Sequence, residues 1–287
     1  MTGLPDAPDA GLPDAPDAGL PDAPVAGLPD ASVAELGAKL YAARRSRVPI
    51  EPLTDAHPAM SVRDAYRVQQ NLLARLLADG DRVVGYKLGL TSTPMRQMFG
   101  VDSPDFAPVL ASHVHHDGAQ VAASGFIHPR VGAEIALVLA SDLAAPDCTA
   151  LDVAGAAAGA AVAIEIVDSR IAGWRIKLAD TISDLASSGA VVLGSAVSPV
   201  DGTALRRAGV VFTRDGDVVA TAAGAAALGG PLQATAWLAR TLAGLGERLR
   251  AGQFIMTGGL HAALDVAPGQ RFRAEVDRLG SVTLRVT

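Results

Sequence analysis

Read for the spacing of apolar and polar positions, the chain changes character near residue 33. From there VAELGAKLYAARR spaces its apolar residues three and four apart, which predicts a helix. SRVPIEPLTDAHPAM is a proline-punctuated connector. SVRDAYRVQQNLLARLLADG predicts a second helix, with Ser61 at the N-cap, Asp64 three residues on as in a capping box, and Gly80 to end it. Its apolar face includes Val62, Tyr66, Leu72, Leu73 and Leu76. RVVGYKLGLTS, RVGAEIALVLASDL and AVAIEIVDSRI are apolar runs of strand length, and HVHHDGAQVAASGFIHPR is a turn-rich β segment. ASSGAVVLGSAV, GVVFTRDGDVVATA, QFIMTGGL, RFRAEV and SVTLRVT supply further strands. TALDVAGAAAGAAVA, with Thr149 and Asp152 as a capping pair, predicts an alanine-rich helix, and PLQATAWLARTLAGLGERL a long amphipathic one. Many strands of mixed spacing with a few helices between them predict an α+β fold built on rolled or sandwiched sheets.

The first 32 residues follow another rule. They repeat the unit GLPDAPDA nearly four times. Two prolines per unit block helix and sheet pairing, and one large apolar residue per unit cannot build a core. Residues 1–32 are therefore expected to be a disordered acidic tail, with a tether for a partner as the alternative, and residues 33–287 a single domain whose helical part spans 33–80. A net charge of −6 without a basic block argues against nucleic acid as a partner. A single cysteine, Cys148, allows no internal disulfide, and the chain reads as intracellular and cytoplasmic. The longest apolar stretch, VAGAAAGAAVAIEIV, is mostly small residues and carries Glu165, so no membrane span is expected. The N-terminus lacks a charged start followed by an apolar run, so no secretory signal is expected. Without a GxGxxG or P-loop pattern, no nucleotide cofactor is indicated.

Two carboxylates stand inside apolar strands: Glu134 in RVGAEIALVL and Glu165 in AIEIV. A strand–helix–strand unit can set these strands side by side. Two carboxylates brought together repel unless a proton or a hard cation such as Mg²⁺ or Mn²⁺ lies between them. The alternative is two unrelated glutamates on solvent-facing positions. Lys87 is also strand-embedded, in a chain with three lysines and 21 arginines. Lysine can lose its proton when desolvated and arginine effectively cannot, so a titrating role stands beside that of a snorkelling strand-end lysine. Asp168 and Arg170 read as a structural ion pair, and His113, His115 and His116 as part of a solvated loop. Trp174 and Trp237 read as packing residues. The glycines of MTGGL read as a tight turn, with backbone donation to an anion as the alternative.

GYKLGLTS, GVDSPDF, HPRVGAEIALVL, AIEIVDSRI, DTISDLASSGAVVLG, AAALGGPLQATAWLARTLA, LRAGQFIMTGGL and LGSVTLRV occur in this order. With this ordered set the chain closely resembles the 2-keto-4-pentenoate hydratase and 4-oxalocrotonate decarboxylase family, a branch of the fumarylacetoacetate hydrolase superfamily, from about Val33 to Thr287. The resemblance implies a mixed β-roll with flanking helices, assembled into homo-oligomers. It implies a small 2-oxo or 2-hydroxydienoic acid as substrate and Mg²⁺ or Mn²⁺ held by three acidic residues. Glu134 matches the second residue of the family's E-x-E pair and Glu165 the later glutamate. Lys87 matches the lysine of G-x-K-x-G-L-T-S, and Asp105 the aspartate of P-D-F-G. Lys87 and Asp105 are thus the implied catalytic residues, and Leu90, Ser92, Leu185, Ser187 and Thr257 the implied substrate-binding set.

Three positions depart from the family pattern. Gly132 stands where the first glutamate of the pair is expected, Ala107 ends PDFA in place of P-D-F-G, and Leu185 replaces the asparagine of D-N-A-S-S-G. Losing one carboxylate weakens a hard-cation site, although water can fill the place, and Leu185 is expected to make the pocket more apolar. Three readings follow. The first is a hydratase adding water to a 2-hydroxy-2,4-dienoate, with vinylogous decarboxylation of a 2-oxo acid as its alternative. The second is a repurposed enzyme of the same fold with reduced metal dependence. The third is a catalytically degenerate subunit of a mixed oligomer.

Overall fold

The computed structural model describes residues 27–93, 96–97 and 100–287. Its helical layer comprises α1 (Asp30–Ser46), the short α2 (Leu53–Ala56) and α3 (Val62–Ala78). Helix α3 begins as the sequence dictates: the Ser61 hydroxyl accepts the Asp64 N–H (3.1 Å), and the Asp64 carboxylate accepts the Ser61 N–H (3.3 Å). Val68, Leu72 and Leu76 of α3 bury against Leu36 and Leu40 of α1. Residues 1–26 of the expected tail lie outside the described residues, and Asp30, Ala31 and Ser32 already belong to α1.

Thirteen strands among the described residues form two sheets. The larger contains β1 (Val83–Gly89), β2 (Asp105–Leu110), β3 (Val114–His116), β5 (Arg130–Leu139), β6 (Ala157–Val167), β7 (Ser188–Leu193) and β10 (Phe254–Met256) in the order β2-β1-β10-β5-β6-β7-β3, with β11 (Leu264–Asp265) also paired to β5. Pairing is mixed: β1 with β10 and β3 with β7 are parallel, the rest antiparallel. The smaller sheet runs β4 (Ala119–Val121), β13 (Gly280–Val286), β12 (Arg271–Val276), β8 (Gly209–Arg214), β9 (Asp217–Ala223). Helices α4 (Ala150–Ala156), α5 (Leu178–Ser183), α6 (Gly202–Arg207) and α7 (Pro231–Gly244) complete the α+β architecture expected from the pattern.

Alternation along β5 assigns its two faces. Val131, Ala133, Ile135 and Leu137 join Phe212, Phe272, Val282 and Leu284 in the core shared with the smaller sheet. Ala136 lies on the opposite face with Val109, Ala163, Val191 and Met256, and that face also bears Gly132 and Glu134.

Two elements differ from expectation. The alanine-rich helix stops at Ala156, and Ala157–Ala163 are strand. Alanine's helix preference is a weak prior, outweighed here because this stretch pairs with β5, with Ala163 also paired to Leu193 of β7 and Ala160 bridged to Ser198. The histidines are not a solvated loop: His115 and His116 lie in edge strand β3, and the partly buried His113 ring sits 2.9 Å (Nε2) from Arg44 Nη2. Among the described residues no helix is long and apolar enough to cross a membrane.

Candidate active site

Four ionisable side chains converge on the face of the large sheet turned away from the small one. Residues alternating along β1 and β2 put Lys87 and Asp105 on one face, and Lys87 lies opposite Ala107 on one side and Met256 on the other. On β5 and β6 the register sets Glu134 opposite Ala163 and Glu165 opposite Gly132. All four are withdrawn from solvent, with exposures of 2% (Lys87), 1% (Asp105), 0% (Glu134) and 6% (Glu165). The solvent-facing alternative for the two glutamates is thereby overturned.

Lys87 Nζ lies 2.7 Å from Glu165 Oε1 and donates to the Ala186 carbonyl at 2.7 Å. Burial alone would lower its pKa, but the Glu165 and Asp105 charges outweigh burial and the net shift is upward. Its neighbours thus favour the ammonium form, and at 2% exposure it is not a snorkelling strand-end lysine. Burial, and then the Glu165 charge, push the Glu134 carboxyl well above the usual carboxylate range, against the pull of Lys87 and the Gly258 N–H. Burial pushes Asp105 up to about 6, with Lys87 opposing the rise. Gly89 passes so close to Asp105 that a Cβ there would fall 2.1 Å from Oδ1, which explains the glycine after Leu88.

The MTGGL segment does more than turn. The Gly258 N–H donates to Glu134 Oε2 (2.9 Å), from a backbone with φ +111° that favours glycine. Gly258 is thus a backbone donor as well as part of the turn, its acceptor being the protein's own Glu134 carboxyl. Thr257 is buried, with its hydroxyl donating to the Ile135 carbonyl (2.8 Å).

The remaining expected substrate contacts divide. Leu90 (φ 55°) and Ser92 are partly buried, just beyond β1. Ser187 is buried and its hydroxyl pairs with that of Thr181 (3.2 Å). Leu185 is buried in one apolar cluster with Leu72, Ala107 and Ile182, and it immediately precedes Ala186, whose carbonyl holds Lys87. Arg170 binds chiefly Asp184, with Nε 2.5 Å from Oδ1, and Asp168 lies 3.9 Å away. Asp168 instead accepts the N–H groups of Ile127 and His128. Two contributors escaped the sequence. The Ala186 carbonyl owes its place to three consecutive left-handed residues, Leu185, Ala186 and Ser187 (φ 53°, 49° and 54°), whose side chains do not signal that conformation. Asp184 is the aspartate of DLASSG, but nothing in that motif points to Arg170 as its partner.

Glu134 and Glu165 are the acidic donors that a hard cation would use. Glu134 Oε1 is buried without a hydrogen-bond partner, and a Cβ at Gly132 would meet nothing within 4 Å. Among the described residues no cluster of three or more His, Cys, Asp or Glu side chains is arranged to hold a metal. The pair therefore fits a cation that takes most of its oxygens from water or ligand, as Mg²⁺ commonly does with one or two carboxylates.

A mixed sheet with a buried ammonium and three carboxylates on one face is an enzyme site by its chemistry. The family model for the fumarylacetoacetate hydrolase C-terminal domain matches residues 94–287. The chain is 44% identical over 248 residues to the 2-keto-4-pentenoate hydratase of Paraburkholderia xenovorans, covering 86% of this chain and 92% of that one. It is 39% identical to the 2-hydroxyhexa-2,4-dienoate hydratase of Comamonas testosteroni, covering 88% and 96%. Among solved structures, 4-oxalocrotonate decarboxylase from Pseudomonas putida G7, complexed with magnesium and adipate, superposes with a TM-score of 0.87 at 36% identity, covering 91% and 99%. The chain belongs to the fumarylacetoacetate hydrolase family, in the branch that holds the 2-keto-4-pentenoate hydratases.

Proposed function

We propose that the chain is a hydratase, a carbon–oxygen lyase that adds water to a 2-hydroxy-2,4-dienoate such as 2-hydroxypenta-2,4-dienoate to give a 4-hydroxy-2-oxo acid. The observation that carries this reading is the buried Lys87–Glu165 pair at 2.7 Å, set with Asp105 and Glu134 on one sheet face. The identity to named hydratases over most of the chain supports it. Glu134 and Glu165 would hold Mg²⁺ or Mn²⁺, which supplies Lewis acidity toward a 2-oxo acid when bound. With Gly132 in the third position, that site is weaker than a three-carboxylate set.

Lys87, fixed by Glu165 and the Ala186 carbonyl, stabilises negative charge developing at the substrate's C2 oxygen. Asp105, pushed up to about 6, can both hold and release a proton near neutrality. It gives a proton to C5 of the dienol while the 2-hydroxyl loses its own, leaving a conjugated 2-oxo-3-enoate. The ionised Asp105 then takes a proton from water as the hydroxyl adds at C4, and C3 takes one proton from solvent, which balances the one the 2-hydroxyl released to it.

Depletion of 2-hydroxypenta-2,4-dienoate, followed by ultraviolet absorbance with Mn²⁺ and with chelator, tests the reading. Turnover that chelator stops is the expected result. Turnover indifferent to chelator favours the repurposed, metal-independent enzyme. Absence of turnover by both the natural protein and Gly132→Glu refutes hydration of this substrate. The likeness to the decarboxylase supports a second reading, vinylogous decarboxylation by the same groups, which carbon dioxide release from 4-oxalocrotonate distinguishes. A homo-oligomer in the cytoplasm completes the proposal, with sedimentation velocity and cell fractionation as its tests.

A further inference from the structure

A second concentration of charge lies where the catalytic groups do not reach. A cavity of about 250 Å³ is lined by Arg44 and Arg47 from the end of α1, His113 and His115 from β3 and the turn before it, and Asp168 and Arg170 from the segment after β6. Lys87, Asp105, Glu134 and Glu165 are not part of its lining.

The charges there do not balance. Arg170 is buried and satisfied by Asp184 and by the Ser188 carbonyl. Asp168, the carboxylate of the lining, already accepts two backbone N–H groups. Arg44 donates to the Ser188 carbonyl (3.3 Å) and faces the His113 ring, but among the described residues no carboxylate comes within ion-pair distance of it. Burial, and then the Arg170 charge, oppose the Arg44 cation and outweigh the more distant carboxylates of Asp184, Asp168 and Asp81 that favour it. Burial, and then Arg44, push His113 down to about 3, so it faces Arg44 as a neutral ring. Arginine keeps its proton in proteins, so a partly buried guanidinium without a carboxylate at ion-pair distance is a standing electrostatic cost that a bound anion relieves. Arg47 is exposed at the cavity's side, with Nε donating to the Gly125 carbonyl (3.1 Å), and its positive charge adds to the field there.

We propose that this cavity is a second, non-catalytic binding site for a small oxyanion, a carboxylate or a phosphate, whose principal recognition group is Arg44, assisted by Arg47. Arginine's planar fork suits both anions, which share two-oxygen recognition geometry. The Ser188 carbonyl held by Arg44 and Arg170 directly follows the left-handed turn whose Ala186 carbonyl holds Lys87, so the site abuts the support of the catalytic lysine without containing it.

Isothermal titration of the full-length protein with inorganic phosphate and with succinate, at constant ionic strength, tests this. Saturable binding of at least one anion is expected, and its identity distinguishes the two sources. Arg47→Ala, at an exposed position where folding is not at stake, should weaken binding about tenfold. Arg44→Gln should abolish it, and Lys87→Met should leave it intact. No saturable heat with either anion overturns the proposal. So does binding that survives both arginine substitutions, or binding lost in Lys87→Met, which would place the anion at the catalytic centre. If neither anion binds and Arg44→Gln changes the sedimentation coefficient, a carboxylate of a second copy fills the cavity and the proposal also fails.

Discussion

Asp105 offers a test in which stability and activity move in opposite directions. Its carboxyl is 1% exposed, its Oδ1 has no hydrogen-bond partner, and burial pushes it from 3.8 up to about 6. A carboxyl whose folded pKa lies above its unfolded value binds more protons in the folded state between the two. Stability is therefore greatest below about 3.8, falls as pH rises toward about 6, and stays at the lower level above. At about 1.4 kcal/mol per pKa unit, the full loss is on the order of 3 kcal/mol. Asp105→Asn cannot ionise and escapes this loss, while its carbonyl oxygen can still face Gly89. In chelator-treated protein the variant should gain on the natural protein by about 3 kcal/mol between pH 4 and pH 7.5, or roughly 6–12 °C in Tm for a domain of this size. Urea denaturation at several pH values reads the difference, at one protein concentration because assembly shifts apparent stability. Hydratase turnover should fall by about 10²–10⁴, the usual weight of a positioned acid or base. A stability difference that is flat across this range, or an active Asp105→Asn, would refute the assignment of Asp105 as a strained proton carrier.

Other substitutions probe the rest of the framework. Lys87→Met leaves Glu165 without its cation beside Glu134, and should cost about 3–5 kcal/mol in urea denaturation as well as all turnover; unchanged stability would contradict the ion pair. Gly132→Glu enters open space opposite Glu165 and should tighten Mn²⁺ binding on the order of tenfold or more, read by titration calorimetry; an unchanged affinity would show that the added carboxylate does not reach the site. Glu134→Gln removes a carboxyl disfavoured by burial and by Glu165, and should raise stability above pH 5 while abolishing metal binding; a loss of stability would mean that the charge is compensated. Ser61→Ala removes the α3 cap and should cost about 1 kcal/mol by thermal denaturation with turnover unaltered; no cost would mean that the cap adds nothing.

The sequence revealed what depends on near neighbours. The Ser61–Asp64 cap and the period-two placement of Glu134 with Gly132 follow from local spacing, and both are as expected. What it concealed depends on distant pairing. Ala157–Ala163 carry a helix-favouring composition that pairing with β5 overrides. The left-handed run at Leu185–Ser187 costs roughly 1–2 kcal/mol per residue and is written in no turn-forming residue. Lys87 on the Ala186 carbonyl and Arg170 on Ser188 hold it from outside.

This changes how the three departures from the family pattern weigh. In sequence Gly132, Ala107 and Leu185 look like three changes around one pocket. In the fold Gly132 lies opposite Glu165 and Ala107 opposite Lys87, and Leu185 shares an apolar cluster with Ala107 and immediately precedes the Ala186 carbonyl that holds Lys87. Its replacement of an asparagine also alters the support of the turn, since asparagine adopts the left-handed conformation more readily than leucine. A change of metal dependence is therefore to be sought at Gly132, where the space opposite Glu165 is open, and Leu185 is to be tested by stability and turnover together.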